Sequence, residues 1–171
     1  MQLFTDVINY IGLILRTIRV TITWAFILLA GYILWATDPM YIALGCSRTT
    51  TCVVTENRGG TIGLFLWAAW SARLHERTVV IDGRCASACA VFADKTRPYV
   101  CITNRAQFQF HQGTNMLNGD RTEPSGFIHS HDLVQWVNDN HEFLGWDDLL
   151  TMPYSEARQF WSTCDETTAG L

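Results

Sequence analysis

The run VTITWAFILLAGYILWA, from Val20 to Ala36, contains no charged residue, and nothing else in the chain restricts its fold as strongly. At ~1.5 Å rise per residue, a helix of this length reaches the lower end of what crosses a bilayer core. Arg16 and Arg19 precede the run and Asp38 follows it. The positive-inside rule therefore keeps residues 1–19 cytoplasmic, makes 20–36 a transmembrane anchor and exports the rest. A cleavable signal peptide is the competing reading, but the TDP after the run lacks a small-x-small site and the run is long for a signal core. In a third reading, residues 3–36 form buried helices of a soluble protein. The charge-free length favours the anchor.

With 171 residues, 49% of them hydrophobic, the chain has room for one anchor and one modest domain built on a single core. It holds 12 Lys and Arg against 16 Asp and Glu. Residues 1–36 take Arg16, Arg19 and Asp6, which leaves ten against fifteen, a net of −5, beyond the anchor. That balance disfavours nucleic acid as a partner. All six cysteines (Cys46, Cys52, Cys85, Cys89, Cys101, Cys164) fall on the exported side. An even count there fits an oxidising compartment and up to three disulfides, with connectivity open. No CxxC pair is present, so no metal is expected.

Residues 37–51 read as a juxtamembrane linker. CVVTEN is a strand ended by RGG, and TIGLFLWAAWSARLHER is a helix with Thr61 as cap, placing Ile62, Leu66, Ala69 or Trp70, and Arg73 or Leu74 on one apolar face. TVVID is a second strand, so strand, helix and strand suggest a right-handed crossover between parallel strands. GRCASACAVFAD then opens a helix, RPYVCIT is a third strand, and AQFQFH alternates as a fourth ending at His111. Residues 113–126 are loop-like. HSHDLVQWVNDNHEFL and PYSEARQFW read as helices, and the tail 162–171 is polar unless Cys164 ties it down.

Ser87 sits between Cys85 and Cys89 at the start of the helix after the second strand. A serine hydroxyl becomes nucleophilic when a base removes its proton and fixed donors receive the oxyanion. Unpaired amides at a helix N-terminus supply such donors, Ala88 N–H among them, and the Gly59-Gly60 turn offers another. His111, at the end of the fourth strand, is the candidate base, because parallel sheets gather ligands at the carboxyl ends of their strands. The rival reading makes Ser87 a plain helix cap. His129 and His131, flanking Ser130, read as helix-start residues. A disulfide from Cys85 or Cys89 to Cys101 would brace the Ser87 helix against the neighbouring strand.

The order GG, strand, GxCxSAC, strand, FxFHQG resembles the ClpP/crotonase-type serine peptidases, the Clp protease proteolytic subunit with its membrane-associated and periplasmic relatives. The match covers residues 52–161. It implies an α/β fold of ClpP/crotonase-like βαβ units with a mostly parallel sheet, shortened by loss of the strand and helix that normally come first, behind an N-terminal transmembrane helix. By the resemblance Ser87 is the nucleophile, His111 the base, and Gly60 and Ala88 the oxyanion donors. Asp147, in DDLLTMP before a helix, would be the orienting acid, with Asp120, Asp132 and Asp139 as rivals. The segment between His111 and Asp147 is shorter than in the family, which leaves the ring assembly and any homo-oligomer open.

The resemblance implies a membrane-anchored, ATP-independent serine hydrolase, most plausibly a peptidase. It would sit in the bacterial inner membrane as a single-pass protein facing the periplasm, act on a peptide or protein, and need no cofactor. Two alternatives stand beside it: a catalytically silent scaffold at the membrane, and a crotonase-like acyl-CoA enzyme. The second would occupy a compartment poor in CoA.

Overall fold

A computed structural model describes residues 2–46, 51–114, 119–140 and 148–164. The chain divides into two compact units, Met1–Thr37 and Asp38–Leu171. The first is one helix, α1 (Gln2–Ala36). Its 22-residue segment Gly12–Ile33 is long and apolar enough to cross a bilayer or to serve as a signal sequence. The apolar segment starts earlier than the charge pattern suggests and takes in Arg16 and Arg19, whose long side chains can carry their charge back to an interface. Thr17, Thr21 and Thr23 donate to the carbonyls of Leu13, Thr17 and Arg19 at 2.9, 2.7 and 2.9 Å. Hydroxyls satisfied within the helix cost little in an apolar medium.

The second unit is mixed α/β, with a curled, mostly parallel sheet. It opens with α2 (Pro39–Leu44), whose Asp38 cap accepts from Met40 N–H at 3.0 Å and whose C-terminus closes on Gly45 at φ 75°. This replaces much of the expected linker. The capping Asp, the Pro in the first turn and the left-handed Gly are each a helix-end signal, and together they outweigh the short apolar pattern between them. Met40 is fully buried, Arg77 pairs with Asp38 at 2.8 Å, and Cys46 is disulfide-bonded to Cys52.

Strand β1 (Thr51–Asn57) leads through a turn to α3 (Ile62–Leu74) and back to β2 (Thr78–Ala86), parallel to β1. On the other edge of β2, β3 (Val100–Ile102) pairs with residues 79–81 and β4 (Gln107–Phe110) with residues 84–86, both parallel. One long strand thus feeds two successive partners, and the sheet curls where they diverge. A short hairpin, β5 (Gly113–Thr114) and β6 (Arg121–Thr122), lies in the segment expected as loop. Helix α5 (His131–Asn140) follows, then β7 (Leu150–Pro153), antiparallel to β4, and the short α6 (Tyr154–Ala157). β8 (Ser162–Thr163) adds to β3, and Cys164 bonds to Cys101. The expected bridge from the Ser87 helix to Cys101 is therefore replaced: Cys101 takes Cys164, and Cys85 takes Cys89.

The apolar face read for α3 is split: Ile62 and Ala69 pack toward the core, and its large residues turn outward. Leu66, Trp70 and Leu74 are exposed, while Phe65, Ala68, Ala69 and Ala72 are buried. Small residues let α3 lie close to α2 and to α4 (Ala88–Lys95), and close packing along a whole helix outweighs one large ring. Across the sheet, Phe108 stacks on Trp161 with centroids 4.0 Å apart, and Trp161 Nε1 donates to Ala93 O at 3.0 Å. Buried Asp94 accepts from His129 N–H and Ser130 N–H at 2.7 and 3.2 Å and from the Ser130 hydroxyl, fixing the chain that enters α5.

A Cβ at Gly83 would stand 2.0 Å from Thr55 O, where β1 shifts register against β2. Gly83→Ala is expected to cost about 3 kcal/mol or more, read as a lower urea midpoint of the detergent-solubilised full chain. Buried Asp82 accepts from Thr103 Oγ1 at 2.5 Å and from Arg105 Nε at 3.0 Å. The Arg105 hydrogen bond holds its carboxyl below the ordinary value. A depressed native pKa stabilises the fold above about pH 4 and loses that contribution as pH falls through the native value. Arg105→Gln is expected to move the acid-unfolding midpoint to higher pH, followed by tryptophan fluorescence.

Candidate active site

β2 delivers the chain to Ala86, and α4 begins at Ala88. Ser87 makes the turn between them at φ 56°, ψ −123°. For a residue with a Cβ this conformation costs ~1–3 kcal/mol and persists only where the surroundings impose it. Those surroundings are specific. Ser87 N–H donates to Gln109 O of β4 at 2.7 Å, while the Ser87 carbonyl accepts from Ala90 and Val91 N–H at 2.9 and 3.3 Å. Although Ser87 occupies the cap position, its side chain makes no capping hydrogen bond. The half-buried hydroxyl is uncommitted, which separates this serine from an ordinary cap.

Gly59 closes the other side. A Cβ there would lie 2.6 Å from Ala86 O, 2.8 Å from Ala88 N and 2.8 Å from Ser87 Cβ, and its φ is +81°. Only glycine permits this approach. Asn57 holds the turn: its Oδ1 accepts from Gly59 N–H at 2.8 Å, and its Nδ2 donates to Ala43 O at 2.9 Å. At Gly60 a Cβ would meet Phe65 at an ordinary 3.6 Å, so the steric demand falls on Gly59. Gly60 and Ala88 N–H have no acceptor among the described residues. These are the two amides expected as oxyanion donors, and Ala88 N borders the Gly59 turn.

His111 follows β4 directly. The parallel register pairs Ala86 with Gln109, so Ser87 and His111 leave the same end of adjacent strands, which run ~4.8 Å apart. No hydrogen bond joins their side chains among the described residues. His111 Nδ1 lies 2.6 Å from Gln112 O. A carbonyl only accepts, so this contact calls for the proton on Nδ1, which in the neutral imidazole leaves the lone pair on Nε2. That is the tautomer a general base needs.

Asp147 lies outside the described residues. The chain after it enters β7, where Leu150 pairs with Phe110, the residue before His111. Of its rivals, Asp132 is engaged by Arg97 at 2.7 Å and by Leu133 N–H at 2.8 Å, and the Arg97 hydrogen bond holds its carboxyl below the ordinary value. Asp120 and Asp139 are exposed.

Three features of the site were not read from the sequence. Asn57 was legible as an Asn two residues before a Gly, the pattern of an Asx turn. Gly59 could not be separated from Gly60 without the elbow it supports. The Cys85–Cys89 disulfide, with both residues fully buried and Cα atoms 5.2 Å apart, encloses Ser87. No family model matches this chain, and no curated protein is significantly similar to it.

Replacing Ser87 by Gly removes the Cβ from a positive-φ site and is expected to raise stability by about 1 kcal/mol, whereas Ser87→Ala keeps the penalty and stays within about 0.5 kcal/mol of wild type. Urea titrations of the three proteins, oxidised and in detergent, give the comparison. Equal midpoints for Gly and Ala would show that the turn holds no such penalty.

Proposed function

We propose that the second unit is an ATP-independent serine hydrolase of the ClpP/crotonase type, acting as a peptidase, held by α1 at the bacterial inner membrane and facing the periplasm. The observation that carries this reading is Ser87, held at φ 56°, ψ −123° in a strand-to-helix turn with its hydroxyl uncommitted. Hydrolases built on a nucleophile elbow present their serine on such a strained turn. The apolar helix and the three disulfides fit an oxidising compartment outside the cytoplasm.

In this reading Ser87 Oγ attacks the acyl carbon and its proton passes to His111 Nε2. The amides of Gly60 and Ala88 receive the oxyanion. Collapse to the acyl-enzyme expels the leaving amine, protonated by His111, and water repeats the sequence in reverse. The Gln112 carbonyl orients the imidazole through Nδ1. Asp147 is the proposed orienting acid. The chemistry calls for no cofactor.

The test is labelling of the oxidised, detergent-solubilised full chain by a fluorophosphonate probe. Wild type is expected to label, Ser87→Ala not at all, and His111→Ala at least about 10²-fold more slowly. A folded wild type that never labels would overturn the hydrolase reading and leave a scaffold at the membrane as the better account. Asp147→Asn tests the acid separately: an unchanged labelling rate would assign the orienting contact to the Gln112 carbonyl alone.

A further inference from the structure

We propose that the Cys85–Cys89 disulfide is a positioning clamp that holds Ser87 in its reactive backbone conformation. This inference concerns the same serine and, for its effect on reactivity, rests on the hydrolase reading. The bond closes a loop of sequence separation 4 with Ser87 at the middle. Were the chain to continue as a strand through Ser87, the two Cα atoms would stand ~13 Å apart; they stand 5.2 Å apart. Cys85 cannot shift to relieve the turn, because it is paired with Asn57 on one edge and Phe108 on the other. Cys89 cannot shift either, because it is fully buried in the first turn of α4 among Ala88, Ala90 and Phe92. Between two fixed ends joined by sulfur, the reversal has to be made at Ala86, Ser87 and Ala88.

The remaining supports of the turn are non-covalent: the Ser87 N–H bond to Gln109 O, the bonds from Ala90 and Val91 N–H to the Ser87 carbonyl, and the contact with Gly59. Fraying of α4 by its first turn can therefore release them and would let Ser87 return to negative φ. The disulfide forbids that escape, since unwinding the first turn of α4 separates Cys85 from Cys89. Fraying would also swing Ala88 N–H away from the Gly59 turn, so one bond keeps both the nucleophile and one oxyanion donor in place. Both cysteines are fully buried, which suits a permanent brace rather than a bond exchanged with external thiols.

A double-mutant cycle tests the clamp on the oxidised full chain in detergent. Ser87→Gly is made in wild type and in Cys85→Ala/Cys89→Ala, and the four urea midpoints are compared. If the bond imposes the turn, Ser87→Gly raises the midpoint in wild type and leaves it unchanged without the disulfide. A brace that merely stabilises the fold would give the same shift in both backgrounds, and that result overturns the proposal. So would the absence of any shift in wild type. Should the double-alanine protein not fold cooperatively, Cys85→Val/Cys89→Ala restores the lost volume and takes its place.

Fluorophosphonate labelling of the same proteins carries the functional half. Loss of the clamp is expected to slow labelling of Ser87 about 10²-fold, in line with a misplacement of about 1 Å, with the Cys46–Cys52 and Cys101–Cys164 bonds verified by mass spectrometry. Undiminished labelling without the clamp overturns it as a positioning device. A wild type that does not label defeats the hydrolase reading, and the midpoint cycle still decides the clamp.

Discussion

The carbonyl of Thr55 occupies the space where a side chain at position 83 would begin. Because Gly83 leaves that space empty, β1 can shift its register by a bulge and still follow β2 to its end, where Asn57 pairs with Cys85. That pairing sets the start of the turn in which Gly59 meets Ala86, Ser87 and Ala88. On the opposite edge, the same stretch of β2 changes partner from β3 to β4, which brings His111 to the strand end beside Ser87. The site therefore depends on one missing Cβ near the middle of the most highly paired strand. Bulges at such places commonly redirect side chains toward a site.

The parallel β1, α3, β2 unit and the strand leading to His111 were legible because alternation and strand-ending glycines are local signals. So was the helix beginning after Ser87, although β2 runs further than TVVID and takes in Gly83 to Ala86. What the sequence could not show was decided by partners distant in the chain. Leu66, Trp70 and Leu74 of α3 were read on one apolar face with Ile62 and Ala69, yet the three large residues are exposed, while Ala68 and Ala72 lie inside with Ala69 because their neighbours are helices at close range. Asp94 sits in what looks like an apolar helix and is buried because residues 129 and 130 bring their amides to it.

At the site itself, residue type pointed to Ser87 and His111, but conformation did not. Positive φ at a serine has no signature of its own. It is imposed here by Gln109, Gly59 and a sulfur bridge, which come from three different stretches of chain. The cysteine pairing was equally hidden. Spacing alone permits Cys85 and Cys89 to be helical neighbours, and only the strand conformation of the first turns them into a loop around Ser87. The imidazole tautomer likewise rests on a backbone carbonyl, Gln112 O, that no pattern of side chains reports.

The Cys101–Cys164 bond spans a separation of 63 residues, and closing a loop of that length removes about 4 kcal/mol of chain entropy from the unfolded state. It also sets an order of events during synthesis. The strand β8 that covers the free edge of β3 belongs to the same stretch as Cys164, so ribosomes must deliver the chain as far as Cys164 before that edge is paired. Until then a nascent chain carries an open strand edge next to an unpaired thiol. The two hazards are resolved together, by one late oxidation that reports that the chain has been made through β8.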